Sequence, residues 1–391
     1  MNRMAGRATR RALARDERLA AQLAGHVPGP PGWGPARVVV TLMAILIQLA
    51  AFAALGCGAW LVVRDFPSIT VLPGVVLLAF GALLLPRPAG LPRYSTRLDR
   101  ADAPHLHAFV AGVAAAVGTR CPRIIVVDDS FEADGGTTGL LRRRYLRIGV
   151  PLFAVLTPLQ RTALVAHQLA HFTNGDPLRS GPAGSVDRSL TALVALFEPR
   201  RDTSVRALQD PAILGAMAGA GGGPMRSGSV GSVWYAELVL SPVIAVLRWV
   251  AAGGRLLFAS AARADVHRAE YRADAEAARV AGSAATLAML DTLGLREPMV
   301  TVLRRHIRQA GDDRPDLTAW RALGDGVRAH APAEPPLSTS PFAGHPPLAL
   351  RARLVRSRPA LEPALPDAAG AGVDADLATE YRRLARDLRY G

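Results

Sequence analysis

The sequence predicts a mainly α protein with a small β-sheet, an α+β domain preceded by a transmembrane helical hairpin. Three observations carry this. Two apolar runs lie close together near the N-terminus, Val38 to Val63 and Ile69 to Leu85. Much of the remaining chain repeats its apolar residues at helical spacing. Two short segments, Pro122 to Val127 and Tyr145 to Val150, have the composition of strands.

In chain order, residues 1–37 are a basic segment with Arg3, Arg7, Arg10, Arg11, Arg15 and Arg18. They read as a short amphipathic helix followed by a Pro/Gly linker. Residues 38–86 form the hairpin. Its first leg is uncharged and long enough to cross a hydrocarbon core of about 30 Å. It starts too late and lacks the cleavage site of a signal peptide. Arg37 precedes the hairpin and Arg87, Arg93, Arg97 and Arg100 come after it. The positive-inside rule then places the N-terminus and the large domain in the cytoplasm, in a multi-pass protein of a plasma membrane.

The domain is expected over 95–356, with a tail over 357–391 that carries an amphipathic helix near Ala375 to Leu388. Within the domain the order is a helix from Ala101 to Val117, the first strand, a turn-rich segment from Asp128 to Gly139, and the second strand. Thr157-Pro158-Leu159-Gln160 then opens a helix: Thr157 caps, Pro158 suits the first helical position, and Gln160 completes a capping box. Further helices are expected at 188–198, 261–281, 283–294 and 316–328. Gly219 to Ser232 reads as a Gly/Ser linker and Ala331 to Pro347 as a Pro-rich one. Val233 to Phe258 is apolar, with Glu237, Arg248 and Arg255 on one narrow stripe. It fits either a third membrane helix or a helix packed on the domain.

Composition agrees with a membrane. Half of the 391 residues are hydrophobic, and the mean hydropathy is positive. The formal net charge of +14 comes from arginine alone, because the chain has no lysine. This usage, with abundant Ala and Gly, suits a GC-rich bacterial genome. Such a charge suits nucleic acid or anionic lipid. No aromatic-interleaved basic motif is present, so a lipid bilayer is the expected partner and nucleic acid is not. Cys57 and Cys121 make neither a disulfide framework nor a Cys-based metal site.

The chemistry concentrates in His167-Gln168-Leu169-Ala170-His171. Two His at i and i+4 share a helix face and can converge on a tetrahedral ion. The pattern is one residue away from H-E-x-x-H, in which the Glu takes a proton from the attacking water. Gln168 stands at that position, and an amide cannot accept a proton near neutral pH. The pair alone also fits two ordinary helix histidines. Zinc needs a third protein ligand. Glu270, in Glu270-Tyr271-Arg272-Ala273-Asp274, is the candidate, in a run that also fits a solvated helix face.

Three segments in order resemble the M48 family of membrane-bound zinc metallopeptidases: His167 to Asp176, Glu270-x-x-Ala273-Asp274, and His345-Pro346-Pro347 with Arg351 shortly after. The resemblance covers about residues 95 to 355, after a hairpin where bacterial members have one. It implies a zincin-like metallopeptidase domain with Zn2+ held by His167, His171 and Glu270. It makes Asp274 an acceptor that orients a ligand His. It makes His345 a group that stabilises the oxyanion formed as water attacks a peptide carbonyl. Arg351 would anchor that segment by pairing with a carboxylate.

The chain departs from the family at two places. Gln168 replaces a Glu whose proton transfers contribute roughly 10²–10⁴-fold, so turnover is expected to be weak or lost. Phe131-Glu132-Ala133 stands where relatives carry Phe-Asn-Ala on the substrate-presenting strand, a change expected to alter substrate alignment, and Glu132 or Asp134 is a carboxylate that could reach the water from the substrate side. Three functions stay open. One is a membrane-anchored zinc metalloendopeptidase acting on polypeptides. The second is a zinc-binding pseudoprotease that holds a peptide or partner protein. The third is a membrane structural protein that binds no metal.

Overall fold

The structure is a computed structural model that describes residues 2–29, 34–66, 68, 71–85, 90–92, 94–139, 142–174, 181–196, 228–310, 315–332, 337, 344–365 and 371–390. In chain order it contains α1 (Asn2–Gln22), α2 (Pro35–Asp65), α3 (Val71–Leu84), β1 (Thr96–Leu98), α4 (Pro104–Val117), β2 (Ile124–Asp128), β3 (Ala133–Thr138), β4 (Arg143–Gly149), α5 (Val150–Val155) and α6 (Pro158–Asn174). Next come α7 (Gly181–Leu196), α8 (Gly228–Ala281), α9 (Ser283–Gly294), α10 (Arg296–Ala310), α11 (Leu317–Ala329), α12 (Leu348–Arg356), α13 (Ala371–Asp376) and α14 (Ala378–Tyr390). The protein is mostly helical with one small mixed sheet, as the sequence predicts. It divides into two compact units. The first holds residues 1–46, 86–185 and 259–391, and the second holds 47–85 and 186–258.

The sheet of the first unit has the order β1-β2-β4-β3, with β2 parallel to β4 and the outer strands antiparallel. Ile124 to Val127 are apolar and β-branched on both faces, which suits a strand covered on both sides. Ile125 pairs with Leu146 and Val127 with Ile148, and these four join Phe109, Val113, Leu164 and Leu169 in the main core. The last helices belong to it as well: Val373, Leu377, Tyr381 and Leu384, from the segment read as a tail, are core residues.

Strand β3 lies where the sequence reads as turns. Ala-Asp-Gly-Gly-Thr-Thr has little intrinsic preference for a strand, and pairing with β4 decides the matter. Its glycines permit close approach. A Cβ at Gly135 would stand 3.2 Å from the Gln168 carbonyl oxygen, and one at Gly136 would stand 2.9 Å from the Tyr145 ring. Helix α8 is longer than the helix expected at 261–281. It begins at Gly228, so residues 228–232 are helical rather than linker, and it continues through Pro242, Gly253 and Gly254. Helix α10 was not expected, although Met299, Leu303 and Ile307 bury one side at i, i+4 and i+8. Residues 219–227 and most of 331–347 lie outside the described residues.

In the second unit α2 and α3 meet through glycine. A Cβ at Gly58 would stand 2.8 Å from the Gly74 carbonyl oxygen, and one at Gly81 would stand 2.9 Å from that of Ala51. The Ser189 hydroxyl of α7 donates to the Leu85 carbonyl at 2.9 Å. Large apolar residues such as Leu49, Phe52, Trp60, Leu72 and Val76 are exposed. Among the described residues one helix, Arg37–Arg64, is long and apolar enough to cross a membrane by length and composition; α3 has 14 residues. The side chain of Glu237, on the charged stripe, lies outside the described residues.

Candidate metal centre

Helix α6 starts as its sequence dictates. The Thr157 N–H donates to Gln160 Oε1 at 3.1 Å, and the Gln160 N–H donates to Thr157 Oγ1 at 3.5 Å, a reciprocal capping box. One turn in, the buried Arg161 ties the helix down. It donates to the Phe153 carbonyl at 2.8 Å, to Asp374 at 2.6 Å and to the Tyr381 hydroxyl at 3.1 Å. Sequence reading missed this hub, because its partners come from α5 and the C-terminal helices.

The helix then presents His167 and His171, 2% and 3% exposed. Their Nε2 atoms stand 3.3 Å apart. Helix α8 brings in Glu270, whose Oε1 is 3.2 Å from His171 Nε2 and whose Oε2 is 3.4 Å from His167 Nε2. Tetrahedral coordination at bond lengths of about 2.0–2.1 Å requires donor atoms roughly 3.3–3.4 Å apart. The three contacts have about these lengths, and the buried group of His167, His171 and Glu270 could hold a metal ion.

Asp274, one turn beyond Glu270, lies behind His167, with Oδ1 3.0 Å from Nδ1. A proton on Nδ1 donated to Asp274 leaves Nε2 as the electron-pair donor. Arg351 of α12 grips the same carboxylate through both oxygens, Nε to Oδ2 at 2.8 Å and Nη2 to Oδ1 at 2.6 Å. Burial opposes the charge on Asp274, but Arg351 and His167 outweigh it and hold its pKa at about 2. Burial likewise acts against the Glu270 carboxylate, yet His345, His171 and His167 keep it well below the usual range. Burial and Arg351 oppose a proton on His167, while Asp274 and Glu270 draw its pKa upward.

His345 enters from the far side, with Nδ1 2.9 Å from Glu270 Oε2 and its side chain 56% exposed. Gln168, Glu132, Asp134 and His345 line one cleft of about 450 Å³ that reaches His167. Glu132 is paired with Arg147 and Arg296 at 3.5 and 3.4 Å, and Asp134 accepts from the Tyr145 hydroxyl at 3.1 Å. All the residues singled out from the sequence therefore meet at one place. One further partner of α8 was not foreseen. Asp16 of α1, itself buried, accepts from Arg263 at 2.8 and 2.6 Å and lies 3.0 Å from His267 Nδ1. Arg263 and His267 stand two turns and one turn before Glu270, so α1 braces the helix that supplies the third ligand. Asp16 carried no local signal, since Asp16 and Glu17 together in an Arg-rich helix read as surface.

Compared with protein-family models, with curated proteins and with solved structures, the chain matches none of them.

Proposed function

We propose that this chain is a membrane-anchored, M48-like zinc metallopeptidase homologue whose peptide hydrolysis is weak or absent because Gln168 occupies the position of the general base. The observation that carries the reading is the buried His167–His171–Glu270 group with Asp274 and Arg351 behind it, opening into the cleft that Gln168 lines. Zinc, when bound, supplies the Lewis acidity that polarises a scissile carbonyl and acidifies the attacking water. The chain's own residues do the rest. Asp274 fixes the tautomer and angle of the His167 ring. Gln168 can hydrogen-bond the water but cannot take its proton. His345, half in solvent at the mouth of the cleft, can donate to the oxygen of a bound peptide carbonyl.

The substrate or partner in this reading is an extended polypeptide. Among the described residues β3 is an edge strand whose strand partner is β4, and an edge strand is where an extended peptide adds to a sheet. Ala133 and Asp134 on that strand line the same cleft as Gln168.

The membrane part of the proposal rests on α2 and on chain path. Helix α1 and the metal centre belong to one unit. A chain that enters a bilayer through α2 must therefore come back before β1, and α3 is the available return leg. The glycine contact between α2 and α3 is the kind by which helices pack in lipid. In this arrangement the positive-inside rule keeps the domain in the cytoplasm.

The second reading, a zinc-binding pseudoprotease that holds a peptide or partner without cutting it, is favoured by Gln168 itself. Casein cleavage by the detergent-purified, zinc-loaded chain and by its Gln168→Glu variant separates the two. Cleavage by the variant, with a gain of roughly 10²–10⁴-fold over the parent, is the expected result and makes the parent a pseudoprotease through one residue. Equal cleavage by both would refute the role given to residue 168 and point to Glu132 or Asp134 as the base. Inactivity of both would remove the peptidase reading.

A further inference from the structure

The first unit has a second concavity, away from the metal centre, with a different chemistry. It has a volume of about 560 Å³ and lies where β1, the start of β2 and the start of β4 meet α4. Four arginines line it: Arg97, Arg100, Arg123 and Arg143. The one carboxylate of the described lining, Asp99, is engaged by Arg97 Nε at 2.8 Å. Arg100, Arg123 and Arg143 make no ion pair among the described residues. Three exposed guanidiniums around one hollow repel one another, and a concave wall of low dielectric focuses their field on an anion.

The walls are fixed. The His107 ring on α4 hydrogen-bonds the Leu98 carbonyl at 3.0 Å, which ties β1 to the helix beside the cleft. Arg97 and Arg143 extend from β1 and β4 on the same face of the sheet, since Arg97 pairs with Val126 and Tyr145 with Ile124 in register. The planar fork of arginine matches a phosphate's oxygens two at a time, so guanidiniums from three separate segments lining one hollow suit a tetrahedral oxyanion. A carboxylate ligand would use one fork and leave the others unmatched. A metal ion is excluded by the sign of the charge.

We propose that this cleft binds a phosphate group, gripped by Arg100, Arg123 and Arg143. The phosphate has two possible sources, free inorganic phosphate and the phosphodiester headgroup of an anionic lipid. The lipid source draws on the membrane reading, because β1 is the first strand after the apolar helix α3 in chain order. The phosphate site itself does not depend on zinc or on peptidase activity.

Cys121 lines the cleft and is exposed, which gives a direct probe. In the full chain in detergent, maleimide labelling of Cys121 is quantified by peptide mass spectrometry. The probes are inorganic phosphate, dihexanoyl phosphatidylglycerol and, as control, dihexanoyl phosphatidylcholine. Labelling of Cys121 slows roughly tenfold at a ligand concentration ten times the dissociation constant, while phosphatidylcholine leaves it unchanged. Protection by inorganic phosphate alone assigns the free ion, and protection by phosphatidylglycerol alone assigns the headgroup. Each of Arg100→Gln, Arg123→Gln and Arg143→Gln weakens protection roughly tenfold through loss of a charge-assisted hydrogen bond. The corresponding Lys variants, which keep the charge and the fold, lose less. The proposal is overturned if neither phosphate nor phosphatidylglycerol protects Cys121 at about 10 mM, where even a millimolar site is filled. It is equally overturned if the Gln variants are protected as well as the parent.

Discussion

The unit that holds the metal centre and the unit of α2 and α3 hide opposite things. In the first, large apolar side chains such as Trp320, Tyr381 and Phe153 are buried, together with ionised groups tied into pairs, Asp274 with Arg351 and Asp16 with Arg263. In the second, Gly58, Gly74 and Gly81 are inside and Leu49, Phe52, Trp60 and Val76 face outward. An interior of bulky apolar groups gains from removing surface from water. Helices that meet through glycine gain from backbone approach, which is the source of association left when the surroundings are as apolar as the side chains. One chain thus carries two packing logics, and each fails in its own way.

The largest effect is expected in the first unit. Asp274→Ala leaves the Arg351 guanidinium buried without its partner, a loss of about 3–5 kcal/mol in denaturant unfolding. The same variant lowers zinc affinity by roughly 10–100-fold, read by competition with a chelating dye, because the His167 ring loses its orienting acceptor. The double variant Asp274→Ala/Arg351→Met recovers much of the stability and none of the zinc affinity. If stability stayed low in the double variant, the unpaired charge would not be its cause.

In the second unit the sensitive change is an added side chain rather than a lost one. Gly74→Leu places a Cβ 2.9 Å from the Gly58 carbonyl oxygen. It costs about 1–3 kcal/mol through overpacking, measured by unfolding in mixed micelles of rising SDS content. Zinc stoichiometry stays at the parental value. Loss of zinc in this variant would mean that the two units do not fail separately.

A smaller effect separates the units by pH. Burial opposes the Asp16 carboxylate, but Arg263 and His267 hold its pKa below the usual carboxylate range. A depressed folded-state pKa gives stability that is present above the unfolded value of about 3.9 and disappears as pH falls through the folded one. Docking of α1 therefore weakens on acidification below about pH 4, seen as lower amide-exchange protection of α1 measured by mass spectrometry at the acid pH itself. Asp16→Asn is poorly protected at every pH, and a variant that kept the parental pH dependence would sink the assignment. The smallest effect belongs to the half-exposed Arg268–Asp265 pair at 3.3 Å. Arg268→Ala should shift stability by only about 0.3–0.5 kcal/mol.

Legibility in the sequence depends on how far apart the deciding residues lie. The Thr157–Gln160 box and the His167/His171 spacing are local, and both are in place. The run Ile124 to Val127 announces a strand because its side chains alone prefer one. By contrast β3 is imposed by β4, and nothing in Ala133 to Thr138 says so. Helix α10 was legible through Met299, Leu303 and Ile307, but Arg304, Arg305 and His306 break into the run and mask the period. The bond from Arg263 to Asp16 joins residues 247 positions apart, and that from Arg161 to Tyr381 joins residues 220 apart. No window along the chain contains such pairs.

That span sets an order of events during synthesis. Helix α1 leaves the ribosome long before its docking surface: Arg263 is made 247 residues after Asp16, and Leu350 and Leu354, which pack with Leu19 and Ala20, come later still. The short stretch that begins at Arg263 brings Glu270 and Asp274 to two histidines that were made long before. Until it emerges, an amphipathic, arginine-faced helix and an incomplete ligand pair coexist on a nascent chain, the condition under which large proteins populate intermediates. Emergence of residues 263–274 gives α1 its ionic partner and brings both carboxylates to the histidines; residues 350–354 then add the apolar seat of α1 and the Arg351 grip on Asp274, so a truncation before 263 forfeits both.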